Sequence, residues 1–156
     1  MTSNDRNISF LKMHGLGNDF VIIDSRDKSI NLSVPAIRKL GDRNFGVGFD
    51  QLGIIQNSEG SDAHLTFFNS DGSSSATCGN ATRCIANFLM KEIKKDEIDL
   101  ATDHVKLKAK RETDGSVSVN NVSTSSDNGI FCQCISGSPI FTDTDPSVSR
   151  FACNGM

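Results

Sequence analysis

In the stretch Asn69-Ser-Asp-Gly-Ser-Ser-Ser-Ala-Thr-Cys78-Gly-Asn-Ala-Thr-Arg-Cys84, a turn-rich segment leads into a cysteine at the start of a helical pattern. Small or apolar residues then recur at the spacing of one helix face: Ala81, Cys84, Ile85, Phe88 and Leu89. The free N–H groups of a helix's first turn, and the positive end of its dipole, would point at the Cys78 sulfur. Such surroundings lower the pKa of a thiol and favour the thiolate, the form that acts as a base or nucleophile. An inert buried cysteine is the alternative, and the segment by itself favours neither.

Size, charge and cysteine usage narrow the class of protein. A chain of 156 residues is one ordinary domain, or one domain with a tail. The net charge of -3 argues against a nucleic-acid-binding protein. The polar N-terminus precedes no signal-type apolar core, and no window is apolar enough to span a membrane. The 5 cysteines are odd in number and irregularly spaced, which argues against a disulfide framework. The pair Cys132-Gln-Cys134 lacks the usual spacing of a zinc pair, and nothing nearby in the sequence supplies the remaining ligands. We therefore expect a cytoplasmic protein with reduced thiols, no metal, and no nucleic-acid or membrane partner.

Hydrophobic periodicity predicts strands and two helices up to residue 122. The predicted strands cover residues 8–13, 20–24, 52–56, 64–69, 98–101, 105–110 and 117–122. The first helix begins at Ser33, a residue type that caps helices, and ends near Gly41; the second runs from Cys78 to about Lys95.

The chain changes character after residue 122. Residues 123–156 contain no lysine, glutamate or leucine, and Arg150 is their one basic residue. Apolar residues occur there singly, without a period that would bury one face. We therefore divide the chain into a domain of residues 1–122 and a polar, poorly ordered or weakly docked tail of residues 123–156.

Four segments in order carry a resemblance to a known family. They are Lys12-Met-His-Gly-Leu-Gly-Asn-Asp-Phe20, Gly46-Val-Gly-Phe-Asp-Gln-Leu52, Phe68-Asn-Ser-Asp-Gly72 and Cys78-Gly-Asn-Ala-Thr-Arg-Cys84. Together they resemble the amino-terminal half of diaminopimelate epimerase, a cofactor-free amino-acid epimerase of bacterial lysine and cell-wall precursor synthesis. Each string alone would be weak, because glycine-rich loops are common; their order along one chain makes the resemblance specific.

The resemblance implies a fold and a mechanism. The fold would be α+β, a curved mixed or antiparallel sheet wrapped around a central helix, as one half of a two-lobed protein with its site between the lobes. Two cysteines would face each other across the substrate α-carbon, one removing the α-proton as thiolate and the other returning a proton to the opposite face. No cofactor would be needed. The substrate would be the small molecule diaminopimelate, interconverted between its LL and meso forms.

The resemblance also implies roles for six residues. Cys78 matches the first of the two acid/base cysteines. Gly79 and Asn80 match positions whose backbone N–H groups hold the α-carboxylate, which agrees with anion capture at a helix N-terminus. Side chains that contact the substrate are matched by Asn18, Gln51 and Asn69. Without the resemblance, these three have ordinary alternatives as a turn residue, a surface strand residue and a turn-initiating residue.

The family's second half, with the other cysteine, is not identifiable in residues 123–156. The run 151–155 around Cys153 only faintly echoes an Ala-Cys-Gly signature. We interpret the chain as a truncated or frame-disrupted member with low or no activity, whose exposed half-fold would favour association, a homodimer included. Two other hypotheses stay open: a non-catalytic binding remnant of the same fold, and a related cofactor-independent racemase or isomerase with another substrate. A cysteine hydrolase is disfavoured because no histidine is identifiably paired with Cys78.

Overall fold

The computed structural model describes residues 6–15, 17–122 and 149–153, which form nine strands and two helices. The strands are β1 (Arg6–Gly15), β2 (Asn18–Asp24), β3 (Gln51–Gln56), β4 (Ala63–Asn69), β5 (Ser74–Ser75), β6 (Glu97–Ala101), β7 (Lys106–Arg111), β8 (Val117–Asn121) and β9 (Ser149–Cys153); the helices are α1 (Val34–Gly41) and α2 (Gly79–Ile93). Every predicted strand and helix is present, with ends that differ by at most two residues. Only β5 and β9 were not predicted; β5 is too short to show a period.

All of these strands belong to one mixed sheet. Its order is β8-β7-β6-β4-β3-β2-β1-β9, with β5 paired to β4. The β2–β3 and β4–β6 pairs are parallel, and the other neighbours are antiparallel. Helix α2 contacts both β1 and β8, which stand near opposite ends of that order. The open sheet therefore curves around α2, and the predicted α+β architecture with a central helix is confirmed.

The sheet is covered on both faces. Because side chains alternate along a strand, Phe20 and Ile22 of β2 join the cluster under α2, whereas Val21 and Ile23 join the cluster under α1. The larger cluster contains α2, so this helix and its N-terminus are held by the main core. Neither helix within the described ranges has the length and apolar character needed to cross a membrane.

Local sequence explains where α1 begins. The Ser33 side chain accepts a hydrogen bond from the Ala36 N–H at 3.3 Å, and a proline occupies the first turn. Ile37 and Leu40 are then buried against the sheet.

The predicted tail falls mostly outside the described residues. Within it, Ser149–Cys153 forms β9, which pairs antiparallel with β1 so that Phe151 stands opposite Ile8. The division of the chain at residue 122 stays a prediction.

Candidate active site

The topology brings the predicted site residues to one end of the sheet. Asn18 begins β2 and Gln51 begins the parallel strand β3, while Asn69 ends the antiparallel strand β4. Gln51 is the direct register partner of Asn69. Helix α2 begins near the same end, because a Cβ placed on Gly15 would lie 3.8 Å from Asn80 Cβ and 3.5 Å from Cys84 Sγ. Gly15 in turn pairs with Asn18 across the β1–β2 turn.

Cys78 is the N-cap residue of α2. Its backbone is extended, and its sulfur accepts the Ala81 N–H at 3.5 Å. The residue is 8% exposed and belongs to the main core cluster. The N–H groups of Gly79 and Asn80 lie in the first turn, where a helix has no carbonyl of its own to accept from them. Sulfur and backbone donors therefore share the N-terminus of α2.

The expectation that the helix N-terminus lowers the Cys78 pKa is wrong in its net direction. Burial raises the pKa of the Cys78 thiol above its usual value, because the thiolate loses hydration. Hydrogen bonds from the Ala81 and Asn80 N–H groups and the charge of Arg83 act in the opposite direction but do not outweigh burial. The N–H donors are visible in the sequence, whereas the loss of water around the Cys78 sulfur depends on how the helix is packed.

Gln51 and Asn69 form one connected amide group. Gln51 Nε2 donates to Asn69 Oδ1 at 3.3 Å, and Asn69 Nδ2 donates to Ser73 Oγ at 2.9 Å. Ser73 Oγ in turn donates to Asp71 Oδ1 at 2.6 Å. Asn18 is not part of this hydrogen-bonded group. It is exposed and directly follows Gly17, whose φ of +87° forms the turn. The structure thus joins two of the three predicted amides directly and places the third at the same end.

A cluster of charged side chains beside these amides was not predicted as part of the site. Asp19 pairs with Lys12 at 2.7 Å and with Arg43 at 2.8 Å, and Arg43 also pairs with Asp50 at 2.9 Å. The Arg43 guanidinium holds the pKa of the Asp19 carboxyl well below its usual range. Since Asp19 follows Asn18 and Asp50 precedes Gln51, this cluster fixes the starts of β2 and β3 relative to each other. Three of its members lie in the segments that carry the family resemblance, and this position was the sequence signal that could have identified them.

Cys84 belongs to the core. It is 3% exposed, its Sγ donates to the His14 carbonyl oxygen at 3.7 Å, and burial raises its pKa to about 11. Within the described residues, no group of three or more His, Cys, Asp and Glu side chains is arranged to hold a metal ion. The faintly matching Cys153 lies in β9, opposite Arg6 in the register.

Solved structures with a similar fold include an isomerase and an epimerase. A methylitaconate-delta-isomerase matches with a TM-score of 0.57 and 18% identity, over 76% of this chain and 38% of that chain. A hydroxyproline epimerase from Agrobacterium vitis, with bound trans-4-OH-L-proline, matches with a TM-score of 0.55 and 14% identity, over 76% of this chain and 42% of that one. At these identities the likeness establishes the fold alone.

The sequence comparison is more specific. The family described as Diaminopimelate epimerase matches residues 10–125. A diaminopimelate epimerase from Pelagibacter ubique is 52% identical over 103 residues, which are 66% of this chain and 37% of that relative. The chain belongs to the diaminopimelate epimerase family, and its aligned part spans little more than a third of this relative.

Proposed function

We propose that this chain carries one half of a cofactor-independent amino-acid epimerase site, with Cys78 as one of its two acid/base groups. The proposed substrate is diaminopimelate, interconverted between its LL and meso forms in the cytoplasm as a step of lysine synthesis. One observation carries the proposal: the Cys78 sulfur caps α2 at the same end of the sheet as the bonded Gln51–Asn69 pair. Membership of the family supports the choice of reaction.

Backbone N–H groups and neutral amides suit this chemistry. An amino-acid α-proton is very weakly acidic, so the negative charge that develops when it leaves must meet preorganised donors. In the proposed complex, the N–H groups of Gly79 and Asn80 hold the α-carboxylate at the positive end of α2. Asn18, Gln51 and Asn69 contact the substrate, since an amide both donates and accepts hydrogen bonds. The Cys78 thiolate then takes the α-proton.

The other face of the α-carbon needs a second acid. Cys84 does not suit this role, because it lies on the same helix, is buried, and donates to the His14 carbonyl oxygen. Among the described side chains we assign no partner to Cys78. We therefore propose that proton removal can begin on this chain, whereas inversion by this 156-residue polypeptide is slow or absent.

A second candidate is a binding module without catalysis. The observation in its favour is the raised pKa of Cys78, which disfavours the thiolate. Such a module would bind the substrate through the same amides and helix N-terminus and would leave the α-proton in place.

The deciding experiment follows the α-proton of LL-diaminopimelate by NMR in deuterium oxide, together with conversion to the meso form. Cys78→Ala removes the proposed base, and Cys84→Ala is the matched control on the same helix. We expect slow exchange that is lost in Cys78→Ala and kept in Cys84→Ala. We also expect meso formation no faster than in Cys78→Ala.

Each other outcome is decisive. Equal exchange in both variants would refute the role of Cys78. Substrate binding by a folded chain without any exchange would favour the binding module. Rapid meso formation would show that the chain contains a second acid/base group and would overturn the half-site.

A further inference from the structure

Arg83 is the one charged residue among the buried side chains of residues 8–15 and 17–122. Its Nη2 donates to Asn80 Oδ1, whereas its Nη1 is buried without a hydrogen-bond partner in those ranges. The exposed and half-buried arginines there all have partners: Arg26, Arg43 and Arg111 each pair with a carboxylate, and Arg38 donates to the Asp71 carbonyl oxygen. A buried, incompletely bonded guanidinium is costly and calls for a compensating group.

The position of Arg83 makes this cost larger. Helical side chains lean toward the helix N-terminus, so the contact with Asn80 holds the guanidinium over the first turn of α2. The first turn already carries the positive end of the helix dipole, and cations are unfavourable there. An anion at this N-terminus would relieve both effects.

Among the described residues, the groups around the first turn leave one candidate for this anion. Cys78 and Cys84 are the titratable groups on α2 there, and Cys84 is engaged with the His14 carbonyl on β1. The carboxylates of Asp19 and Asp50, at the same end of the sheet, are paired with other cations. Cys78 remains, and its sulfur caps the same turn.

We propose that Arg83 is a positioning residue that holds the Asn80 amide against the first turn and supplies the positive charge that compensates a thiolate on Cys78. This role deepens the proposed function and depends on Cys78 working as a thiolate. The Arg83 charge acts on the Cys78 pKa in the required direction, downward against burial. Arg83 does not touch the reacting atoms in this role; it acts through Cys78 and Asn80.

The test measures alkylation of Cys78 by iodoacetamide as a function of pH, in the full chain, with peptide-level mass spectrometry to separate the cysteines. Arg83→Met removes the charge, and Arg83→Lys keeps it. Arg38→Met removes an arginine on α1, on the other face of the sheet, and is the matched control. We expect the pH of half-maximal alkylation to rise by about one pH unit in Arg83→Met. It should stay near the original value in Arg83→Lys and Arg38→Met.

An unchanged midpoint in folded Arg83→Met would overturn the proposal, as would a rise in Arg83→Lys equal to that in Arg83→Met. Should Arg83→Met lose its cooperative thermal transition, Arg83→Gln, which is neutral and can still donate to Asn80, replaces it with the same expected rise. The assay needs no substrate turnover. Absence of α-proton exchange would therefore refute the proposed function without deciding the role of Arg83.

Discussion

Replacing Ile85 by alanine tests whether α2 is the central helix of this fold. Ile85 is fully buried. Its Cδ1 packs against Gly53 of β3, since a Cβ added to that glycine would lie 3.2 Å from it. Removing a fully buried isoleucine side chain beyond Cβ costs about 2–5 kcal/mol, because transfer free energy is lost and a cavity remains. A small domain is stable by only about 5–15 kcal/mol. The substitution should therefore remove a large part of the free energy of unfolding.

Ile93→Ala is the matched control, since it is the same change on the same helix at a residue that is 36% exposed. We expect it to cost less than about 1 kcal/mol, because less burial is lost and alanine favours the helix. Urea unfolding followed by far-UV circular dichroism measures both, as the chain has 0 Trp and 0 Tyr residues for fluorescence. Equal losses of unfolding free energy in the two variants, with the same slope of that free energy against urea concentration, would refute the placement of α2 against the sheet.

Two further predictions concern the ends of elements near the site. Asp19→Asn should make the free energy of unfolding depend less on pH in the acid range. A carboxyl whose pKa is lowered by folding adds stability at pH values above its unfolded pKa, near about 3.9, and this stability is lost as the pH falls below that value. Thermal unfolding between about pH 6 and pH 2 measures this, and an unchanged acid limb would count against the Asp19–Arg43 pair. Ser33→Ala should destabilise the chain by about 1 kcal/mol through the lost cap of α1, whereas Ser33→Asp should restore most of it; equal stability of all three chains in urea would contradict the cap.

Much of the fold was predictable because its signals are local. The spacing from Ala81 to Leu89 identifies one face of α2, and Ser33 marks the start of α1. The pairing of Gln51 with Asn69 is different, since it depends on which strands become neighbours and in what register. Family resemblance, rather than periodicity, supplied those residues as candidates.

What escaped prediction depends on distance and burial. Asp19 and Asp50 meet only because β2 and β3 pair in parallel, a contact across 31 positions that no local pattern reports. The burial of Arg83 without an anion beside it is visible only when the helix is packed. The direction of the Cys78 pKa shift was missed for the same reason.

The hydrogen-bonded amides have a consequence for ligand polarity. A carboxylate only accepts, so Asp71 obliges the Ser73 hydroxyl to donate to it and to accept from Asn69 Nδ2. Asn69 Oδ1 is then turned toward Gln51 and accepts a hydrogen bond from Gln51 Nε2. The exposed Asp71 carboxylate thereby sets the donor-to-acceptor direction of all three hydrogen bonds. The orientation of the Gln51 amide, with its carbonyl oxygen and its other N–H turned away from Asn69, is thus set by three successive hydrogen bonds that begin at Asp71.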